Sequence, residues 1–256
     1  MRGLGLASAF RTLTILQVPG GDSRKQATTL FWFPVVGLVL GGFCWALAFL
    51  VSYSTSPFSY LVCGALVTVL LAWLTRGFHL DGLSDMADGF GGGWTKERTL
   101  EIMKDSHTGA FGVIALVLLL IVKTCAVAAL CACAAVDRSL LSWLVVVPVL
   151  SRMLLAVQTA ANRYARPTPG TAGVLVGESR WYHGAVAAVL AIVPTVLLLP
   201  EDRLVPFCLV LAAGVLMTLF IGWKSRRRLG GVTGDILGAT CELSEATMFI
   251  VAFLFS

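Results

Sequence analysis

The stretch LVTVLLAWLTRGFHLDGLSDMADGFGGG, Leu66–Gly93, passes from an apolar run straight into three aspartates and a glycine-rich end. Asp81, Asp85 and Asp88 fall within eight residues. An apolar run that stops at a charge cluster is what a chain shows where it leaves a bilayer. The rest of the sequence agrees. Of its 256 residues, 57% are hydrophobic and 13% charged, and soluble domains carry about twice that charged share. A bilayer core of about 30 Å takes about 20 apolar residues as helix. Seven segments qualify: Leu30–Tyr53, Phe58–Thr75, Ala110–Val136, Ser139–Ala161, His183–Pro200, Arg203–Trp223 and Asp235–Phe255. The second and fifth are short, and the seventh carries Glu242 and Glu245. The expected fold is all-α: a polytopic integral membrane protein, one domain over 1–256, with about seven transmembrane helices and short cytoplasmic amphipathic helices.

Loop charge orients the spans. With the N-terminus in the cytoplasm, the inside segments hold fifteen of the 19 Lys and Arg residues, from Arg2 and Arg11 to the run Arg226–Arg228. The outside loops hold Arg138 and Arg203, while Lys123 and Arg152 lie within spans. Such a bias is the positive-inside pattern. It accounts for the net charge of +5 with no nucleic acid as partner. The seven cysteines lie in apolar segments without a CxxC pair, and read as small apolar core residues.

The spacing D-x3-D-x2-D places Asp81, Asp85 and Asp88 on one face of a helix, because residues three and four apart are neighbours. Three like charges there repel and call for a positive counterpart. A hard divalent cation fits, since Mg²⁺ takes carboxylate oxygens, keeps water ligands and bridges to substrate phosphates. Gly89, Gly91, Gly92 and Gly93 suit a backbone that approaches a phosphate or breaks a helix. Lys96–Asp105 reads as a short amphipathic helix with Leu100 and Met103 on its apolar side, and Lys104, Asp105, Ser106 and His107 gather before Gly109.

A second acidic face lies in GGVTGDILGATCELSE, Gly230–Glu245. Asp235, Glu242 and Glu245 share a helical face. Carboxylates within a span are costly and usually functional, and Glu245, deep in the span, needs a metal, Arg152, Lys123 or a water-filled cavity. Both acidic faces begin at cytoplasmic helix ends and are able to converge on one cation site. With Arg152, Arg163 and Arg166 nearby, the residues point to metal-dependent phosphoryl-group chemistry.

FPVVGLVLGG (Phe33–Gly42), HLDGLSDMADGFGGG (His79–Gly93), KERTLEIMKDSHTGAFGVIAL (Lys96–Leu116) and GGVTGDILGATCELSE together resemble the cobalamin synthase family. The resemblance implies a magnesium-dependent transferase in the bacterial inner membrane, its active site facing the cytoplasm. It would join adenosylcobinamide-GDP to α-ribazole, or its 5′-phosphate, and release GMP. On that reading Asp81, Asp85 and Asp88 hold Mg²⁺. Asp235 and Glu242 complete the metal site or take a proton, and Lys104, Arg152 or Arg166 steadies developing charge. Substrate contacts fall to His79, Gly89, Asp105, His107 and Arg166. A homo-oligomer is left open. The rival readings are a CDP-alcohol phosphotransferase, whose D-G-x2-A-R pattern fails at Asp85 and Met86, a prenyltransferase, and a cation transporter lined by Glu242, Glu245 and Lys123.

Overall fold

The computed structural model describes residues 5–54, 56, 58–198 and 200–255; Arg2 and Leu199, which the topology reading used, lie outside them. Eleven α-helices follow one another among the described residues. The long ones are α2 (Phe33–Val51), α3 (Ser59–Leu74), α6 (Ala110–Cys133), α7 (Trp143–Ala160), α9 (Trp181–Leu198), α10 (Leu204–Leu229) and α11 (Gly234–Leu254). The short ones, α1 (Leu6–Leu13), α4 (Phe78–Gly92), α5 (Lys96–Ile102) and α8 (Thr171–Glu178), all gather at one end of the bundle. Among the described residues the one extended pairing is a bridge between Tyr164 and Val232.

This is a multi-pass membrane protein. Five helices are long and apolar enough to cross a bilayer, and the count reaches seven when two bent pairs are each taken as a span. The two spans expected to be short are the apolar halves of those pairs. In one, α3 meets α4 at 90°; in the other, α8 meets α9 at 94°. At about 1.5 Å per residue, α3 is roughly 24 Å long, and we read it as the span, with α4 lying crosswise outside it. Arg76 and Gly77 make the corner, with φ of 57° and 64°. Gly77 adopts that left-handed conformation freely; Arg76 does so against a steric preference. The segments between the expected spans thus contain α4, α5 and α8.

Burial separates the centre from the rim. About 83% of the apolar window of the α7 span and 72% of that of α11 are buried, against 39%, 33% and 28% for the spans of α2, α6 and α10. The rim helices turn Leu50, Val69, Ile121 and Leu216 outward, as lipid contact allows. Glycines bring the centre together. A Cβ on Gly37 would stand 2.3 Å from Pro148 O, and one on Gly41 2.6 Å from Val145 Cα. The small-xxx-small pair in α2 therefore lets it lie directly on the α7 backbone.

The buried charges sit on or against the two central helices. Lys123 Nζ of α6 lies 2.9 Å from Glu242 Oε2 and 2.5 Å from Glu245 Oε1 of α11. Arg152 of α7 pairs with Glu245 Oε2, and Ser151 Oγ donates to the same oxygen at 2.9 Å. None of the four charged residues is more than 4% exposed. Two cations and two anions leave the group neutral, and it ties α6, α7 and α11 together. Of the counterparts offered for Glu245 by the sequence, both Arg152 and Lys123 are used.

Removing one partner of a buried pair leaves an uncompensated charge and costs about 3–5 kcal/mol. Lys123→Met is therefore expected to lower the melting temperature in detergent sharply. Adding Glu242→Gln to it should recover much of the loss, because the net charge returns to zero. Equal stability of Lys123→Met and the parent would contradict this account.

Candidate active site at one end of the bundle

The α4 helix starts at the Arg76–Gly77 corner and ends at Gly93. Its three aspartates lie on one face, as their spacing predicts, with burial increasing along the helix. Asp81 is exposed, Asp85 half-buried and Asp88 buried. What sets this gradient is the packing of α4 on two neighbours. Its first half lies on α11: a Cβ on Gly82 would stand 2.9 Å from Asp235 Cα, and one on Gly238 would stand 3.1 Å from His79 Cα. Its second half lies on α6, where Asp88 Oδ2 accepts from Gly109 N at 2.7 Å and Oδ1 from Gly112 N at 2.8 Å. Asp88 thereby satisfies free amides in the first turn of α6 and places its charge at the favourable end of that helix dipole.

The close approach at Gly82 brings the two acidic segments together. Asp235 stands in the first turn of α11, where Thr233 caps the helix by accepting from Ile236 N. Asp235 Oδ2 accepts from Arg166 Nη2 at 2.7 Å and from Thr233 Oγ1 at 3.1 Å. The same Arg166 nitrogen donates to Met103 O at 3.2 Å, so it joins the end of α5 to the start of α11. Arg166 is delivered by the Tyr164–Val232 bridge, in which Ala165 N donates to Val232 O and Val232 N to Arg163 O.

The electrostatics follow from this gathering. Burial pushes the Asp85 carboxyl up to about 7, and the charges of Asp235, Asp81 and Asp88 add to that against the pull of Arg166. Asp85 is thus a carboxylate short of positive charge. Among the described residues, no three His, Cys, Asp or Glu side chains already stand at metal-ligating spacing. A cavity of about 620 Å³ opens over the first half of α4, lined by Arg76, Gly77, Phe78, Asp81, Ser84, Thr108 and Leu116. The Ser84 hydroxyl in its wall is buried without a hydrogen-bond partner. Sequence reasoning passed over Arg76, Ser84 and Thr108 as site residues, and only the position of Arg76 beside the helix-breaking Gly77 hinted at it. Thr233 was legible as a cap residue ahead of Asp235.

The other expected site residues are distributed as follows. Lys104, Asp105 and His107 lie on the exposed turn between α5 and α6, beside the Gly109 that Asp88 holds. Asp105 Oδ1 lies 2.7 Å from His107 Nδ1, and this contact holds the Asp105 carboxyl below its usual range. His79 is 1% exposed, and its Nδ1 has no hydrogen-bond partner. Gly89 is a packing position: a Cβ there would meet Met103 Cγ at 2.4 Å. Gly91 and Gly93 similarly abut Phe111 and Thr99, so the glycines serve tight contact of α4 with α5 and α6. The helix does end at this run, as one of its two sequence readings has it. Glu242 and Arg152 belong to the buried neutral group, two turns and more inward from Asp235.

The sequence profile of the cobalamin-5-phosphate synthase family matches residues 5–253. Relatives named adenosylcobinamide-GDP ribazoletransferase include one from Chlorobaculum tepidum, 39% identical over 253 residues and covering 98% of this chain and 95% of the relative. One from Prosthecochloris aestuarii is 41% identical over 251 residues, covering 98% and 97%, and one from Syntrophobacter fumaroxidans is 38% identical over 250 residues, covering 96% of each. No solved structure matches the chain. With the family profile spanning nearly the whole sequence and such relatives aligned end to end, the chain belongs to the cobalamin-5-phosphate synthase family.

Proposed function

We propose that the protein joins adenosylcobinamide-GDP to α-ribazole, or its 5′-phosphate, forming adenosylcobalamin, or its 5′-phosphate, and GMP. The observation that carries the reading is the convergence of Asp81, Asp85 and Asp88 with Asp235 and Arg166 at one end of the bundle. In the reaction a ribose hydroxyl oxygen bonds to the cobinamide-side phosphorus, the bond from that phosphorus to the GMP oxygen breaks, and the hydroxyl proton is taken up by a carboxylate.

The donor set suits magnesium, and the elevated Asp85 carboxyl supports a cation at this place. Mg²⁺ is commonly held by one or two carboxylates plus substrate phosphate oxygens and water, without an all-protein cage. Asp81 and Asp85 are the side chains to hold it, since Asp88 has both oxygens engaged by α6. When bound, magnesium supplies neutralisation of the diphosphate and of charge developing on it. Asp235 takes the hydroxyl proton, and its bond to Arg166 and Thr233 fixes its orientation. Arg166 donates to phosphoryl oxygens as charge moves toward GMP. Lys104, on the exposed edge of the site formed by the α5–α6 turn, meets the leaving nucleotide. Glu242 and Arg152 act at one remove, by anchoring α11 so that Asp235 keeps its place. The basic residues at this end support its facing the cytoplasm of the inner membrane, where nucleotide substrates are found.

Two outcomes test this. Asp85→Asn should reduce GMP release from adenosylcobinamide-GDP and α-ribazole at least 100-fold at saturating Mg²⁺, and Arg166→Ala should do so at least 10-fold. Turnover near the parent level in either variant contradicts the reading. The second outcome is a pH profile. An aspartate titrates near 3.9 when unfolded and here at about 7, so the folded state binds the proton more tightly. Its stabilising effect is complete below about pH 4 and is lost as pH rises through 7. In chelator, the melting temperature of the parent should therefore fall from pH 5 to pH 8 more steeply than that of Asp85→Asn, and Mg²⁺ should restore the parent at pH 8. Parallel profiles for the two proteins contradict it.

A further inference from the structure

We infer that a slot at the root of α4 receives the heteroaromatic base of the acceptor nucleoside, with His79 Nδ1 as its polar contact. The inference rests on the transferase reading above and assigns a place to the second substrate. The slot lies among α1, α2, α4, α7, α8 and α11, with a cavity of about 70 Å³ that is open at its mouth. Its walls are Phe33, Phe78, Leu155, Leu175 and Leu237. Of the three hydroxyls on it, that of Thr171 is exposed and the other two are already satisfied within their own helices. Thr12 Oγ1 donates to Ser8 O and Thr159 Oγ1 to Leu155 O, each at 2.8 Å.

That leaves His79. It lines the slot, it is 1% exposed, and although its ring meets the Cys241 side chain of α11, its Nδ1 lacks a hydrogen-bond partner. A buried ring nitrogen left unpaired is costly, and such groups in native proteins are nearly always met by something. A ligand that suits this place is flat and largely hydrocarbon, with one ring nitrogen to share a proton with Nδ1. The benzimidazole base of α-ribazole has that character. Guanine does not, since its carbonyl, amino and ring N–H groups would face apolar walls with nothing to bond.

The slot is also in the right place. Gly234 and Gly238 form its α11 side, so a ribose attached to a base seated there emerges beside Asp235. Phe78 lines both this slot and the cavity over Asp81. The acceptor base and the diphosphate thus sit on opposite sides of the start of α4, with the hydroxyl between them.

The test is steady-state kinetics of the full chain in detergent, with each substrate varied in turn. For the parent protein, 5,6-dimethylbenzimidazole should compete with α-ribazole but not with adenosylcobinamide-GDP, and adenine should inhibit far less. Ala172→Phe, which narrows the mouth of the slot, and His79→Phe, which keeps the ring but removes Nδ1, should each raise the KM for α-ribazole at least 10-fold. The KM for adenosylcobinamide-GDP should stay within about 2-fold. His79→Asn, whose amide occupies the Nδ1 position, should recover most of the loss. Competition of the free base with adenosylcobinamide-GDP in the parent overturns the assignment without any variant, as does an unchanged α-ribazole KM in folded Ala172→Phe. In either case GMP release by the parent would leave the transferase reading standing. No GMP release by the parent would overturn that reading and this assignment with it.

Discussion

A carboxylate inside a membrane bundle must find a cation, and in this protein that requirement fixes α11. Glu242 and Glu245 meet Lys123 from α6 and Arg152 from α7, which pins the span with two buried carboxylates between two neighbours. In a low-dielectric interior such contacts are strong, but desolvation offsets much of the gain. Their effect is on position more than on net stability. Sliding α11 by one turn, about 5.4 Å, would strand two carboxylates, so the helix has one register. The same register sets Asp235 at the end of the bundle and brings Gly82 of α4 against it.

From that placement the end site follows. The α4 helix crosses the end because the chain turns through 90° at Arg76 and Gly77. It stays there because Gly82 lies on α11 and Asp88 caps α6. This packing buries Asp85 and forces like charges beside it, and Arg166 offsets them only in part. The protein thus keeps a carboxylate out of its ordinary titration range, an arrangement common where charge is put to chemical use. One end of the bundle holds negative side chains short of a cation; the middle holds charges that already have partners.

Much of this could be read in the sequence. The apolar runs, the 13% charged share and the bias of Lys and Arg give an all-α membrane bundle, and the spacing of Asp81, Asp85 and Asp88 gives one helical face. What periodicity could not give is which helix lies against which. Glu242 and Glu245 sit on the same face as Asp235, and the spacing alone joins all three into one site. The fold divides them, because Lys123 and Arg152 reach the inner two from helices distant in sequence. The glycines after Asp88 show the same limit. A glycine run suits a phosphate or a helix crossing equally well, and only the contacts with Met103, Thr99 and Phe111 show the crossing. The sharp corner before α4 was half hidden for another reason: Gly77 suits a left-handed backbone and marks a break, but Arg76 does not, so its own turn went unannounced.

The central claim is that the carboxylates of α4, held in place by the start of α11, make a cation site at the end of the bundle. The most direct measurement is Mn²⁺ binding followed by electron paramagnetic resonance, with pyrophosphate present, in the parent, Asp81→Asn and Asp85→Asn. The account predicts that affinity falls at least 10-fold in both variants while each keeps its melting temperature within a few degrees. Mn²⁺ binding as tight in Asp85→Asn as in the parent would show that α4 does not hold the cation, and would contradict it.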